Sequence, residues 1–258
     1  STKRSYKRIL LGFYNLLNEI LATDGVTINT GESAFRKTQD YHLELYIKAL
    51  QHYKNPKTGK EYKKSTINQY VTVMKQFMTW LYRKSIIQDD LTKDLPSVAL
   101  SPEDLPDRDL YLDTVREVLA YYKKRNLHRY AIILCGAVTG LRLTATANIK
   151  MSDITYEPVD GTYFYVLKVK EKRDKTRFAV IHPDIFTELL SPKKRMGKST
   201  MIGPGAEGYL FEMLNEKKYS TDYLSKSVSA WFDEFDRKTK RSGEKITYHH
   251  LRHFYSIY

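Results

Sequence analysis

Cys135 is the only cysteine in this 258-residue chain. A disulfide scaffold and a cysteine-based zinc site are therefore excluded, and a reducing, cytoplasmic setting fits. No apolar run approaches the roughly 20 residues that cross a bilayer, so no membrane-spanning segment is expected. No secretory leader is expected either. There is no internal repeat. Acidic residues are also in deficit: 30 against 43 Lys and Arg, a formal charge of +13. Such a surplus calls for a polyanionic partner. Nucleic acid is the first candidate and an anionic membrane surface the second. Hydrophobic residues make up 41%, enough to build real cores and to exclude a disordered chain.

Other signatures lack their required context. Gly203-Pro204-Gly205-Ala206-Glu207-Gly208 spells a dinucleotide-binding string, but no strand is expected before it and Pro204 occupies the tight turn. Gly197-Lys198-Ser199 resembles the end of a P-loop without the upstream glycine. His249, His250 and His253 have no local acid or cysteine to complete a metal site. No metal and no cofactor is expected. The 21 tyrosines suggest base-stacking platforms. The expectation for most of them is a ring packed inside with its hydroxyl wet.

Periodicity predicts mainly helix. Tyr6, Ile9, Leu10, Phe13, Leu16, Leu17 and Ile20 form a stripe at three-four spacing, broken at Gly25. A second helix is predicted over Asp40 to His52, closed by the Asn55-Pro56-Lys57-Thr58-Gly59 turn. A third follows Thr66, which with Gln69 reads as a capping box. Residues 94–108 read as a linker interrupted by Pro96, Pro102 and Pro106. A helix then starts near Thr114, with Glu117 completing a second capping box, and residues 129–138 read as a helix buried on all sides. Tyr163 to Val169 alternates and is answered by Thr176 to Ile181, a β-hairpin with Lys172, Arg173, Asp174 and Lys175 at its tip. Helix returns at 182–190, a loop is expected from Ser191 to Gly208, and a last long helix spans Thr221 to Arg237. The fold class is mainly α with a small antiparallel β-sheet (α+β).

Against this frame, Arg142 and Arg252 stand out. The first closes Thr139-Gly140-Leu141-Arg142 and the second closes His249-His250-Leu251-Arg252. Alone, either is a surface arginine near a helix end, and a basic hairpin is a solvated turn. Together with Lys172 and His249 they can neutralise one phosphodiester. Its five-coordinate transition state carries extra charge on the non-bridging oxygens, and fixed donors aimed at them are worth about 3 kcal/mol each. The planar, permanently charged guanidinium suits that task. A lysine whose proton is loosened by neighbouring cations, here Arg173 and Lys175, can protonate a departing oxygen. His249 can shuttle a proton and lies three residues from Arg252, on one helix face.

These motifs resemble the tyrosine recombinases, the phage-integrase family of site-specific DNA recombinases. Residues 65–95 are similar to the family's helical core-binding domain and 109–258 to its catalytic domain. The resemblance implies a DNA-binding domain over 1–95, a linker over 96–108 and a catalytic domain over 109–258 that is incomplete at its C-terminus. It implies that Arg142 and Arg252 grip the scissile phosphate. Lys172, with Lys175 as the alternative, would be the general acid toward the 5′-oxygen, and His249 would assist proton transfer. A tyrosine forms a 3′-phosphotyrosyl link, splitting strand exchange into two easier steps without ATP or metal. The expected partner is double-stranded DNA, with a homo-tetramer assembling on it and accessory DNA-bending proteins possible. The function implied is that of an integrase of a mobile element. A catalytically inactive DNA-binding regulator and a type IB topoisomerase-like enzyme are the alternatives.

Two departures from the family pattern stand out. The third box and the nucleophile are expected beyond Tyr258, because Tyr255 and Tyr258 follow Arg252 too closely and read as core. Ala145 occupies the place of an acid that usually follows the first arginine, so support for Arg142 is expected from elsewhere.

Overall fold

The apolar stripe of the first segment becomes helix α1 (Thr2–Thr23), and Ile9, Phe13, Leu17 and Leu21 on it are fully buried. Gly25 ends it at a left-handed φ of 73°, with Gly25 N donating to Ala22 O and Val26 N to Leu21 O. This is the double bond pattern of a Schellman cap, which a glycine adopts at least cost. The computed structural model describes residues 2–55, 58–101, 104, 109–171, 175–213, 217–241 and 245–258. The chain divides into two units, 1–106 and 107–258.

In the first unit a short turn of helix, α2 (Ala34–Lys37), leads to α3 (Asp40–His52) and α4 (Lys64–Arg83). Phe13 and Leu17 of α1 meet Leu43, Tyr46, Ile47 and Leu50 of α3 and Ile67, Val71, Met74 and Met78 of α4 in one core. The observed α3 has the predicted bounds. Helix α4 starts ahead of the predicted capping box: its N-cap is Lys63, with no side-chain cap bond. Tyr62 and Ile67 instead fall at the N′ and N4 positions of a hydrophobic staple, and both join the core.

The second unit is built around α6 (Leu127–Thr139), on which Tyr130 to Ala137 are all buried. Asn126 starts it, its side chain accepting from Arg129 N at 3.0 Å. Around it lie α5 (Leu112–Lys123), a short α7 (Leu143–Thr146), α8 (Pro183–Arg195), α9 (Thr221–Thr239) and α10 (Tyr248–Ile257). The second capping box fails as the first did. Helix α5 begins after Tyr111, with Leu110 and Val115 buried at the staple positions. At each start an apolar pair at the staple positions packs into the core where a hydroxyl cap was expected.

Three antiparallel strands follow α7 in the order β1 (Ile154–Val159), β2 (Thr162–Lys170) and β3 (Thr176–Ile181). The predicted hairpin is β2–β3, with Lys170 paired to Thr176. Strand β1 had not been expected, although Asp160-Gly161 joins it to β2 with both residues at positive φ, as a two-residue type I′ turn requires. Ile154, Leu167, Val169, Ala179 and Ile181 form the buried face of the sheet.

Helix α8 also differs from expectation. It runs through Pro192 to Arg195, where a loop was predicted. A proline here leaves the carbonyl of Glu188 without its helical partner. The Ser191 hydroxyl donates to that oxygen at 2.7 Å. Lys193 then turns inward to Glu212 at 2.7 Å, each side chain only 5% exposed. The tyrosine expectation fails for most: eleven of the 21, among them Tyr111, Tyr223 and Tyr258, are exposed, and of the four buried ones Tyr122 and Tyr248 bond their hydroxyls inside the protein, to Trp231 O and Thr146. Two of the exposed ones, Tyr156 and Tyr163, lie against each other with ring centroids 5.2 Å apart.

Candidate active site

Five elements of the second unit converge on one cluster of charges. Helix α6 ends at Thr139, and Gly140 follows in the left-handed region at φ 55°. Two constraints require glycine there. A side chain is strained at that φ, and a Cβ at Gly140 would lie 2.4 Å from Cδ1 of Tyr255. One turn earlier, a Cβ at Gly136 would meet the Tyr248 ring at 2.7 Å. The two glycines let α10 lie directly on α6. Tyr248 is tied further by a 2.8 Å hydrogen bond between its hydroxyl and that of the buried Thr146. Burial pushes the Tyr248 phenol well above its ordinary value.

The HHLRH segment separates by role on this helix. His250 is spent on the cap: Thr247 N donates to its Nδ1 at 3.0 Å, and the Thr247 hydroxyl lies 2.8 Å from the same atom. His249 faces outward, with His253 edge-on at 5.0 Å between ring centroids. Arg252 turns toward α6, donating from Nη1 to Gly140 O at 2.8 Å and to Glu171 Oε1 at 3.3 Å. Arg142, at the N-cap of α7, donates to Glu171 Oε2. The two arginines, remote in sequence, thus share one carboxylate.

Arg177 joins them, and sequence reasoning gave it no role. Its guanidinium donates to Thr139 O at 3.1 Å and Gly140 O at 3.3 Å, and lies 3.8 Å from Glu171 Oε1. Arg177 and Arg252 therefore cover the carbonyl end of α6, where the helix dipole is negative and the last carbonyls lack helical partners. A signal was available. Arg177 shares the inward face of β3 with buried Ala179 and Ile181, and Glu171 extends the inward series Leu167 and Val169 of β2. Charged residues at positions where alternation calls for apolar ones mark a site.

A hollow of about 380 Å³ is lined by Arg142, His249 and Arg252, with Ser225 and Ser229 of α9 on its rim. Three of the four residues singled out from sequence therefore line one cavity. The fourth, Lys172, lies outside the described residues, as do Arg173 and Asp174. Lys175 closes the hairpin, its carbonyl accepting from Glu171 N at 2.8 Å. A second hollow of about 280 Å³ lies on the other side of Arg252, lined also by Gly140, Arg177, His253 and Tyr255. Tyr255 and Tyr258 are not core: they are 45% and 67% exposed, Tyr255 lying across Gly140 and Tyr258 against Phe254. Among the described residues no group of three side chains is arranged to hold a metal ion, and no helix is long and apolar enough to cross a membrane. The Gly203–Gly208 loop spends its backbone on structure, Gly203 N donating to Met151 O and Gly208 O accepting from Met151 N, both at 3.1 Å.

No protein-family model matches the sequence, and a sequence search of curated proteins finds no match. Solved structures do match in shape, and they define the fold as that of the tyrosine recombinases. The XerH site-specific recombinase bound to palindromic difH substrate, in a post-cleavage complex, is similar at a TM-score of 0.68 and 17% identity, over 98% of this chain and 67% of that one. A lambda integrase tetramer bound to a Holliday junction gives 0.63 at 14% identity, over 96% and 72%. The Tn1549 transposon integrase in complex with circular intermediate DNA gives 0.59 at 13%, over 93% and 84%. At these identities the likeness is one of fold.

Proposed function

We propose that the chain is the DNA-binding and cleaving part of a tyrosine site-specific recombinase, an integrase of a mobile element. The observation that carries this reading is the hollow lined by Arg142, His249 and Arg252, with both guanidinium groups tied to one carboxylate. The net charge of +13 supports a duplex DNA partner, bound mainly through phosphates. The fold likeness supports the same class of reaction, and the tetrameric lambda integrase supports assembly as a tetramer on DNA.

The chemistry then runs on fixed positive charge. Arg142 and Arg252 donate to the non-bridging oxygens of the scissile phosphate, whose charge grows as a tyrosine oxygen attacks phosphorus. The bond to the 5′-oxygen breaks, Lys172 supplies the proton to that oxygen, and His249 accepts the proton of the attacking phenol or steadies it. The products are a 3′-phosphotyrosyl link and a free 5′-hydroxyl. Attack by a 5′-hydroxyl from a second duplex reverses the steps and completes strand exchange. Residues 1–95 would add their own contacts to the duplex, with 96–108 as the connection.

A nicked suicide duplex carrying the element's end sequence tests this, using protein expressed from its complete reading frame. The expected result is a covalent protein–DNA adduct resistant to denaturant, mapped by mass spectrometry to a tyrosine. Tight binding without adduct on any end sequence would replace this reading with that of a regulator on the same fold.

A further inference from the structure

An acid lies at the centre of this cationic cluster, and it is not where the sequence pattern would have put one. Ala145, at the third position of α7 and 2% exposed, offers Arg142 no carboxylate. Glu171 does, from a different element. Its side chain is 10% exposed, and its backbone is fixed as the last bonded position of the β2–β3 hairpin by the 2.8 Å bond to Lys175 O. Its oxygens are divided: Oε2 takes Arg142, while Oε1 lies 3.3 Å from Arg252 and 3.8 Å from Arg177. One carboxylate thus ties together α7, α10 and β3.

We propose that Glu171 is the positioning residue of the phosphate cradle, standing in for the acid absent at Ala145. Three guanidinium groups this close repel one another, and each is always charged. One shared anion cancels part of that repulsion and fixes the angle between their planes. Within the cluster two net positive charges remain, matched to a phosphodiester that passes from one negative charge to two as it is attacked. Glu171 is not a plug in the phosphate seat. It does not line the hollow shared by Arg142, His249 and Arg252, but stands behind the arginines that do. The three depend on it unequally. Arg252 has a second anchor at Gly140 O and Arg177 has two backbone carbonyls, whereas the contact of Arg142 among the described residues is Glu171.

The catalytic consequence rests on the recombinase reading above; the ordering of Arg142 does not. The test therefore uses Glu171→Ala, Glu171→Gln and Glu171→Asp in the full-length protein, with two independent readouts. The first is the guanidinium ¹⁵N spectrum. In Glu171→Ala, Arg142 is expected to lose its restricted signal, Arg177 to keep it, and duplex affinity to hold. The second is single-turnover cleavage, which is expected to fall about 10²-fold, the usual cost of misplacing reacting groups by an ångström. Glu171→Asp is expected to recover part of that loss, and Glu171→Gln less, because the charge is gone. An Arg142 signal that stays restricted in Glu171→Ala overturns the positioning role, and so does cleavage that is unchanged. Faster cleavage overturns it too, because a plug would then have been removed. If the wild type yields no adduct, the recombinase reading falls and the spectra alone decide the role of Glu171.

Discussion

Two carboxylates in the second unit are each ringed by cations, and they differ in what those cations can still reach. Glu212 accepts from Lys193 at 2.7 Å, and Lys198 lies 3.2 Å away, with side-chain exposures of 5%, 5% and 14%. Burial alone would push the Glu212 carboxyl up, but the two lysine hydrogen bonds outweigh it and hold the group below its ordinary value. That cluster is closed, its cations buried beside the carboxylate and turned away from solvent. Glu171 is 10% exposed, but Arg142 and Arg252 around it are 47% and 27% exposed. The first arrangement holds a loop to a helix. The second presents ordered positive charge to a ligand. Counting ion pairs would not separate them; the exposure of the cation does.

Breaking each cluster should therefore give opposite results. Lys193→Met leaves Glu212 buried with a weaker set of partners. A loss of about 3–5 kcal/mol in unfolding free energy is expected, with denaturant titration as the check. Arg252→Ala is expected to cost stability only modestly, about 1 kcal/mol for the bond to Gly140 O. Cleavage in a single-turnover assay is expected to fall about 10³-fold. Duplex affinity should largely persist, because phosphate contacts are spread over a wide surface. If Arg252→Ala destabilises as much as Lys193→Met while cleavage per folded molecule is unchanged, the two clusters are of one kind and the comparison collapses.

The sequence made much of this legible where one force dominates. The three-four spacing from Tyr6 to Ile20 predicts α1, and alternation from Tyr163 onward predicts β2 and its partner. The meeting of Arg142 and Arg252 was also readable, because two short motifs each pointed to phosphate. What stayed hidden depended on compensation by a neighbour. Pro192 reads as a helix breaker until Ser191 takes the stranded carbonyl. Thr66 and Thr114 read as caps until the apolar pairs at the staple positions are seen to join the cores. Glu171 and Arg177 read as ordinary hairpin charges. Alternation marks them as inward-facing, but only the fold brings them to Arg142 and Arg252.

Acid should sharpen the comparison by attacking the closed cluster first. His128 is hydrogen-bonded to the Tyr219 hydroxyl at 2.7 Å. Burial, with Lys198 adding to it, pushes its pKa down to about 4. The unfolded chain binds this proton near pH 6.5 and the folded chain does not until about 4, so stability is full above 6.5 and drains as pH falls toward 4. The loss expected across that window is about 2–3 kcal/mol. Glu212, with its pKa lowered, adds a further loss below the ordinary carboxylate range. Denaturation followed through Trp231, with Trp80 replaced by Phe, should show this slope, and His128→Gln should flatten it between pH 6.5 and 4. A slope that survives the substitution would assign the acid sensitivity to another group.

The smallest effect, and the one most specific to the open cluster, is expected at Ala145. An acid there sits at the third position of α7, where it can reach back to the backbone N–H of the Arg142 N-cap. In the wild type Arg142 is already held by Glu171, so Ala145→Glu should give no gain in cleavage and a small loss of stability from burying a carboxylate. In the Glu171→Ala background the same substitution should recover part of the lost rate. The coupling between the two positions is expected to be about 1 kcal/mol, typical of residues that share a partner. A double-mutant cycle on cleavage rates measures it directly. Additive effects would mean that the two sites act on different groups, and that Arg142 is oriented by something other than the carboxylate it touches.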